Sequence, residues 1–355
     1  MTSSTKPIVA QTTPFYRELT AGRTYLWCQC GRSVRQPFCD GRSHIGTGFE
    51  PVAYTARADG EEVLFCGCKQ TGTPPFCDGA HNNLPGGYKA DTRSEAELEV
   101  IAWIEADEAG IRRLDGRCYV VAPTATRPTP APRFWSRALV SPALGAVHQS
   151  QFYIELESGA SPVLSAGEAD AILWIGNGSG TVTIAGRNFA IGAEDGVHVR
   201  AGEAFRIASE GPERMIAFVS TCPAVEALEE LDTMPETFDA RFPERICGVD
   251  PSARSAMGPR YFQMLVDKNV GSATAAQFIG HIPASRGEMH RHLYEEALII
   301  MAGTGVIWNE RSRAKVAAGD VIFFPRKHAH SLESIGGGMD VVGLIHPGDN
   351  PGINY

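Results

Sequence analysis

The sequence predicts a mainly β protein, with a small cysteine-rich N-terminal part followed by two β-barrels. Three observations support this prediction. A cluster of three cysteines and a histidine occurs twice, as "CQCGRSVRQPFCDGRSH" from Cys28 and as "CGCKQTGTPPFCDGAH" from Cys66. A proline-rich stretch, "PTATRPTPAP", follows at 123–132. Beyond it, short apolar or β-branched segments alternate with glycine-containing turns, and this pattern runs through the chain twice.

Size and charge limit the possible functions. A chain of 355 residues is long enough for two or three domains. The 32 Lys and Arg residues against 41 Asp and Glu residues give a net charge of −9, which argues against nucleic-acid and anionic-membrane partners. Because the chain shows no secretory signal and no membrane-spanning stretch, we expect a cytoplasmic location.

In the cytoplasm the nine cysteines are expected to stay reduced, so closely spaced cysteines favour metal ligands over disulfides. Cys118, Cys222 and Cys247 lie outside the two clusters and are expected to be small buried apolar residues.

Residues 1–90 form the predicted cysteine-rich domain. The strand-like pieces "RTYLW" and "EEVLF" lead directly into the two clusters, and the second cluster begins 38 residues after the first. Two copies of one supersecondary unit, packed as a compact pseudo-symmetric pair, are the expected result.

Residues 91–133 form the predicted connecting segment. The segment "ELEVIAWIEADE" is typical of a short helix or strand, and Asp115-Gly116 predicts a hairpin turn. The prolines at 123–132 then predict an extended linker with the main domain boundary.

The two predicted barrels span residues 134–222 and 269–355. Between them, residues 223–268 are expected to form a helical connector. The helix is predicted in "CPAVEALEELDTMP", with Pro223 at its start and apolar residues at Val225, Leu228 and Leu231.

Each cysteine cluster offers three thiolates and one imidazole. This donor set suits tetrahedral zinc or a 2Fe-2S cluster with mixed sulfur and nitrogen ligation, and generic spacing leaves both open. The candidate ligands are Cys28, Cys30, Cys39 and His44 in the first cluster, and Cys66, Cys68, Cys77 and His81 in the second.

Residues 66–81 resemble the CDGSH iron-sulfur (NEET) family, whose pattern C-x-C-x2-[S/T]-x3-P-x-C-D-G-[S/A/T]-H they match at every position. Residues 28–39 match it as well, through Ser33 and Pro37. The first copy then departs from the pattern, because Arg42 is an insertion that places His44 five residues after Cys39.

We interpret His44 as the ligand; the alternative is a distorted or differently ligated first site. The resemblance implies one 2Fe-2S cluster in each motif. A histidine ligand can expose its second ring nitrogen to solvent, which would couple cluster reduction or release to pH.

A second candidate metal site lies near the C-terminus. Strand alternation places His290 and His292 on one face, Glu296 can join them, and His330 ends another strand after a proline-containing turn. Three imidazoles and a carboxylate suit one divalent ion of Fe, Mn, Ni, Co or Zn. Glu295 is a rival ligand if the strand register slips by one residue. His328 alternates with His330 and is expected to face outward.

This region resembles the cupin superfamily, with motifs H-x-H-x3-4-E-x6-G and G-x5-P-x-G-x2-H. The residues that fit are His290, His292, Glu296, Gly303, Gly319, Pro325 and His330. Lys327 stands where the family usually has glycine. Side chains that line the mouth or interior of the barrel are weaker candidates: His281, His346, Tyr294, Arg286, Met301 and Trp308.

The sequence of the earlier barrel aligns with the same two motifs but lacks the ligand residues. Ser165, Gly167, Ala171 and Phe205 occupy the four ligand positions, so this barrel resembles a degenerate cupin. The fold class implied is a pair of CDGSH iron-sulfur modules followed by a two-barrel, double-stranded β-helix bicupin.

The favoured function is an oxidoreductase, an oxygenase or oxidase that acts on a small organic molecule at a non-haem metal, with iron(II) as the favoured ion. Two 2Fe-2S clusters would relay electrons to this metal. One alternative is a non-catalytic redox or iron-sulfur sensor or cluster-transfer protein. The other is a redox-neutral metal-dependent isomerase or lyase with structural clusters. A redox partner protein and a homo-oligomer are compatible with the first hypothesis.

Overall fold

The structure is a computed structural model that describes residues 6–348 and 350–355. It is mainly β, as predicted, and contains one short α-helix in the described residues. The strands of the N-terminal part are β1 Phe15–Leu19, β2 Thr24–Trp27, β3 Val52–Thr55 and β4 Glu61–Phe65. Helix α1 Glu95–Glu99 and the strands β5 Ala102–Trp103, β6 Ile111–Arg113 and β7 Tyr119–Val121 follow.

The first barrel and the segment after it contain the next strands. They are β8 Phe134–Val140, β9 Ser150–Leu156, β10 Gly159–Ala160, β11 Val163–Ser165, β12 Asp170–Asn177, β13 Ser179–Ile184, β14 Arg187–Gly192, β15 Gly196–Val199, β16 Ala204–Ser209, β17 Met215–Cys222, β18 Glu229–Leu231 and β19 Ile246–Cys247.

The second barrel contains the remaining strands. They are β20 Ser255–Met257, β21 Arg260–Val266, β22 Ala276–Ile282, β23 Ser285–Arg286, β24 Glu295–Trp308, β25 Ser312–Ala317, β26 Val321–Phe324 and β27 Ser331–His346. Short 3-10 helices occur at Ala80–Asn83, Pro123–Thr126, Pro142–Leu144, Pro251–Ala253 and Lys268–Val270.

The two N-terminal copies are intertwined. The strand before each cysteine cluster pairs with a strand of the other copy, so that β4 pairs with β1 and β2 pairs with β3, both antiparallel. The local bonds repeat: the Cys28 amide donates to the Pro37 carbonyl at 2.8 Å, and the Cys66 amide donates to the Pro75 carbonyl at 2.9 Å. This exchange of strands makes the two copies one packing unit around a shared aromatic core.

The segment 91–133 is more than a connector. Ser94 and Glu97 form a capping box that starts α1. The hairpin predicted at Asp115-Gly116 is formed by β6 and β7. Strand β7 also pairs with β26, and β5 pairs with β25, so this segment extends the sheet of the second barrel.

The first barrel consists of two six-stranded sheets. An apolar core fills the space between them, with Phe205, Leu164 and Ala171 among its members. The opposite faces of β12 and β17 pack on β24, β26 and β27 through a second core, which joins the two barrels.

The prediction of a helix in 222–235 is wrong. The segment instead contains β18, which pairs with β11, while Ser150 exchanges two hydrogen bonds with the backbone of Val225. Val225 and Leu228 pack on the core of the first barrel. Pairing with an available strand edge therefore overrides the helical pattern in this segment.

Strands β20 and β21, also within the predicted connector, belong to the sheet of the second barrel. In that barrel β24 and β27 form the longest pairing, and β22 and β26 flank them. Among the described residues, no helix is long and apolar enough to cross a membrane.

A buried ion pair anchors the segment after the first barrel. Arg245 is fully buried, and its Nη1 and Nη2 donate to the Glu203 carboxylate at 2.5 and 2.8 Å. The same guanidinium donates to the carbonyls of His198, Asp239 and Phe242. This bonding, instead of a helix, fixes the course of the chain between the barrels.

We expect Arg245→Met to lower the free energy of unfolding by about 3 to 5 kcal/mol, because it leaves the Glu203 carboxylate buried without its partner. Urea denaturation followed by tryptophan fluorescence measures this loss. Arg241→Met, at an exposed arginine of the same segment, is the matched control and should leave the midpoint unchanged. Equal midpoints for both variants would show that the ion pair does not anchor the segment.

Candidate functional site

The second cysteine motif brings its four predicted ligands together in two pairs. Cys66 Sγ lies 3.5 Å from Cys68 Sγ, and Cys77 Sγ lies 3.4 Å from His81 Nδ1. A hydrogen bond from Cys68 and backbone amides that include that of Lys69 lower the pKa of Cys66 to about 6. Cys66 is therefore a thiolate at neutral pH, which is the form that binds metal.

The first motif reaches the same arrangement in spite of its insertion. Cys28 Sγ lies 3.6 Å from Cys30 Sγ, and Cys39 Sγ lies 3.3 Å from His44 Nδ1. Asp40 accepts hydrogen bonds from the backbone amides of Arg42 and Ser43, which folds the extra residue into the turn. The geometry thus favours His44 as the fourth ligand of the first motif.

The two histidines differ in their surroundings. The His44 side chain is 19% exposed, whereas His81 is 2% exposed. Burial lowers the pKa of His81, with the Asn354 side chain as a hydrogen-bonding neighbour that opposes the shift. The expected solvent-exposed ring nitrogen is therefore absent at His81, because residues 350–355 cover it.

A buried cation lies between the two cysteine sites. Lys69 Nζ donates to the Cys66 carbonyl at 3.0 Å and lies 4.6 Å from the ring centroid of Trp27. Its electrostatic neighbours are the cysteines of both motifs: Cys28, Cys30, Cys66 and Cys68. Burial lowers the pKa of Lys69 to about 8, so it stays mostly protonated at pH 7.

The cupin-like site brings three imidazoles together with one orientation. Nδ1 of each ring faces a backbone carbonyl: Glu288 for His290 at 3.1 Å, Tyr294 for His292 at 2.8 Å, and His328 for His330 at 2.9 Å. An Nδ1–H that donates to a carbonyl leaves the Nε2 lone pair free for a metal.

Backbone pairing sets this arrangement. His290 and His330 exchange two backbone hydrogen bonds of 3.0 Å, and their ring centroids lie 4.5 Å apart. Burial lowers the pKa of His290 to about 4. Burial, with the neighbouring His290 and His292, also lowers the pKa of His330 well below its usual range. Both imidazoles are therefore neutral, as metal ligation requires.

Glu296 completes the set. Its Oε2 lies 3.4 Å from Nε2 of His292, which is buried and has no hydrogen-bond partner among the described residues. Gly343 leaves room for this carboxylate, because a Cβ there would lie 3.2 Å from Glu296 Oε1 and 2.3 Å from Phe278. The rival Glu295 faces away and accepts the backbone amides of Val147, His148 and Gln149.

The donors fit a single divalent ion, although no three such side chains of the described residues already stand at metal-bonding positions around one point. Neutral imidazoles, an unpartnered buried Nε2 and an adjacent carboxylate are the ligands expected for Fe, Mn, Ni, Co or Zn. The first barrel has no such set at the matching positions, where Ser165 pairs with Ala204, and Ala171 and Phe205 lie in the apolar core.

Two neighbouring residues have other roles. His328 pairs with Asp115, with Nε2 2.5 Å from a carboxylate oxygen, and its side chain is mostly buried instead of facing outward as expected. Lys327 adopts φ +64°, the conformation that glycine usually supplies at this turn. Its amine contacts Glu62, which also pairs with Arg326 at 3.2 Å. The lysine thus joins the turn beside the cupin site to strand β4.

The weaker candidates divide between the cavity and the structure around it. His281 and Tyr294 line the same cavity as His290 and His292. His281 also pairs with Asp340 at 2.7 Å, and Tyr294 stacks on His292 at 3.9 Å between ring centroids. His346, Arg286, Met301 and Trp308 do not line this cavity.

The second cysteine site and the cupin-like site meet. His81 and His290 line one cavity, together with Arg260, Tyr88 and Asn354. Asn82 Nδ2 donates to the Gly352 carbonyl at 2.7 Å, which holds the loop of the second motif against the C-terminal residues. On another side, Cys77 and Tyr294 line a second shared cavity.

Sequence reasoning missed three residues of this region. Lys69 falls at an unspecified position of the cysteine pattern, and Arg260 and Asn354 belong to no motif. Only the three-dimensional packing shows that Lys69 lies between the two cysteine sites and that Arg260 and Asn354 lie beside both His81 and His290. No motif or spacing in the sequence singles out Arg260.

If the two cysteine motifs hold 2Fe-2S clusters, we expect Lys69→Met to lower their reduction potentials by on the order of 50 mV, because a buried positive charge favours the reduced form. Lys69→Arg keeps the charge and should shift the potentials less. Lys315→Met, at an exposed lysine of β25, should shift neither. Redox titration followed by visible absorption measures the potentials, and an unchanged value in Lys69→Met would contradict this assignment.

Adjacent glutamates provide a second test. Glu296→Gln should lower the affinity of the cupin-like site for its metal by at least about tenfold, because the carboxylate is a direct donor. Glu295→Gln should keep the metal content while lowering thermal stability. Metal analysis after dialysis distinguishes them, and loss of metal from Glu295→Gln alone would mean that the two roles are reversed.

Known proteins resemble this chain in two regions, one near each end. Residues 281–345 match the family model described as the cupin domain. The N-terminal region is 57% identical over 54 residues to a mitochondrial CDGSH iron-sulfur domain-containing protein 3 of Mus musculus. It is 52% identical over 54 residues to the Homo sapiens protein of the same description. These matches cover 15% of this chain and 39% and 42% of the two relatives, less than half of their length.

Two solved structures resemble the fold of this chain. The protein Ylba from E. coli gives a TM-score of 0.50 at 14% identity, covering 70% of this chain and 96% of that one. The putative glyoxylate-induced protein from Pseudomonas aeruginosa gives 0.50 at 16% identity, covering 69% and 95%. At these identities the likeness shows the fold alone. The two resemblances found in the sequence are confirmed: this chain joins a region similar to the CDGSH iron-sulfur proteins to a cupin domain.

Proposed function

We propose that this protein is an oxidoreductase in which the cupin holds a mononuclear metal, with iron(II) as the favoured ion. The enzyme would oxidise a small organic molecule with electrons relayed through two 2Fe-2S clusters. His290, His292, Glu296 and His330 would hold the mononuclear ion. The cysteines and histidines of the two motifs would hold the clusters. The bound ion supplies Lewis acidity and dioxygen chemistry, and the clusters supply one-electron transfer.

One observation carries this proposal. His81, the last ligand of the second motif, and His290 of the cupin-like site line the same cavity. Asn354 is a hydrogen-bonding neighbour of His81 and lines the cupin cavity as well. A cluster with a purely structural role would not need a ligand next to the catalytic cavity, so this contact favours electron relay.

The protein residues prepare the cupin cavity for such chemistry. Backbone carbonyls fix the tautomers of the three histidines, and Tyr294 locks the His292 ring by stacking on it and by donating to the Pro351 carbonyl at 2.8 Å. Phe278, Leu298 and Val341 make one wall of the cavity apolar. These apolar side chains would contact the apolar part of an organic substrate.

The first motif provides a surface for electron uptake. Val34 is 88% exposed and Ile45 is 73% exposed, and both flank the first motif. Arg32, Arg35 and Arg42 surround them with exposed positive charge, although the whole chain is acidic. An exposed apolar patch with a basic rim fits a small acidic one-electron carrier protein as the redox partner.

Electron relay predicts that the cupin metal controls how fast the clusters lose electrons. After anaerobic reduction with dithionite, protein with iron in the cupin should reoxidise its clusters several-fold faster on mixing with dioxygen than protein with zinc there. Stopped-flow absorbance of the clusters measures both rates. Glu296→Gln, dialysed to remove its weakly held cupin metal, should behave like the zinc form.

Equal rates in all three forms would argue against relay and leave the alternatives. Transfer of clusters to an apo-acceptor, without any product that depends on the cupin metal, would favour the sensor or cluster-transfer function. Activity that survives Cys66→Ser in folded protein would favour a redox-neutral enzyme with structural clusters.

The uptake surface has its own test. Arg35→Glu with Arg42→Glu should slow cluster reduction by a reduced acidic 2Fe-2S ferredoxin by about tenfold or more at low salt, because electrostatic steering is reversed. Reduction by dithionite should be unchanged. Ile335→Asp, at an exposed residue of β27, is the control for a distant surface change. An unchanged rate with the ferredoxin would exclude this surface.

A further inference from the structure

Arg260 is a half-buried arginine without an acidic partner among the described residues. It stands at the start of β21 and lines both the cupin cavity and the cavity shared with His81. Its Nε is buried and has no hydrogen-bond partner among the described residues, and no described carboxylate lies within 4 Å of its guanidinium. Arg245, by contrast, is buried against both oxygens of Glu203.

The groups around Arg260 do not neutralise it. Its guanidinium carbon lies 5.6 Å from the ring centroid of Tyr88, and the Tyr88 hydroxyl is itself buried without a hydrogen-bond partner in the described chain. His290 lines the same two cavities as Arg260. A buried charge without a partner is costly, and proteins keep one where a ligand completes the pair.

We infer that Arg260 binds the carboxylate of an organic acid substrate at the cupin site. This inference rests on the proposed function and names its substrate class. The Tyr88 hydroxyl provides a second unused donor beside the guanidinium. A guanidinium binds a carboxylate through two parallel hydrogen bonds, which fixes the orientation of the substrate as well as its charge.

The rest of the cavity selects the remainder of the molecule. Phe262, Phe278, Leu332 and Val341 line it, so the part of the acid away from Arg260 contacts apolar and aromatic side chains. The candidate metal ligands lie on another wall of the same cavity. The substrate class is therefore a small carboxylic acid with an apolar or aromatic body, whose carboxylate faces Arg260.

Gly287 packs close to the guanidinium of Arg260. A Cβ at this glycine would lie 3.1 Å from Arg260 Nη2 and 3.9 Å from the Tyr88 hydroxyl, so the missing side chain leaves the guanidinium in place beside Tyr88. Gly287 thus lies close to both the Arg260 guanidinium and the Tyr88 hydroxyl.

The test is anaerobic calorimetric titration of the cluster-containing protein with zinc in the cupin site, which needs no turnover. The probes are benzoate and lactate, each compared with its neutral amide, benzamide or lactamide. At least one acid should bind at least about tenfold more tightly than its amide. Arg260→Met should lose this preference, and Arg260→Lys should keep part of it.

Arg254→Met is the matched control, because Arg254 is exposed and stacks on Tyr261 4.3 Å from the ring centroid. It should bind the acid like the wild type. Three results would overturn the inference: failure of both acids to bind, equal binding of acid and amide, or unchanged acid binding by folded Arg260→Met. The comparison of acid with amide uses only wild-type protein, so it decides even if a variant fails to fold.

This test separates the inference from the proposed function. Binding of carboxylates through Arg260 in a protein whose clusters never exchange electrons with the cupin metal would overturn the relay alone. Electron relay without any preference for carboxylates would overturn the substrate class alone.

Discussion

The packing of the second cysteine motif against the C-terminal residues determines what the two halves of the chain can do together. The Asn82 side chain donates to the Gly352 carbonyl, and the Asn350 side chain donates to the Asp78 carbonyl at 3.0 Å. Tyr355 exchanges two backbone hydrogen bonds with Arg291, between the cupin histidines. Six residues at the end of the chain therefore connect one candidate metal site to the other, and a change in this contact would alter both.

A second feature of this region is that each candidate metal site has a cation with a poorly exposed side chain beside it. Lys69 between the cysteine sites and Arg260 beside the cupin site are both cations with few or no acidic partners, in a chain whose net charge is −9. Each is close to groups that gain negative charge in the proposed chemistry: reduced clusters for Lys69 and a carboxylate substrate for Arg260. Low dielectric strengthens these interactions, which is why two residues outside every motif matter to the account.

The sequence predicts features that depend on short spacing better than features that depend on tertiary pairing. The cysteine pairs and the histidines come together because each motif folds on itself. The strands before the cysteines form where the sequence alternates in the way that is typical of strands. The helix predicted at 222–235 is wrong because the free edge of β11 is available to β18. The contact of His81 with Asn354, 273 positions later, and the unpaired state of Arg260 cannot be read from any local pattern.

The most direct test of electron relay is freeze-quench paramagnetic resonance of protein prepared with ferric iron in the cupin and reduced clusters. If His81 and His290 connect the two sites, the ferric signal should disappear while the reduced-cluster signal falls by one electron equivalent per chain, on one common time course without dioxygen. One ferric ion accepts one electron, so two reduced clusters should lose half of their total signal. Protein with gallium(III) in the cupin should keep its reduced clusters over the same period. A ferric signal that persists beside fully reduced clusters would contradict the relay.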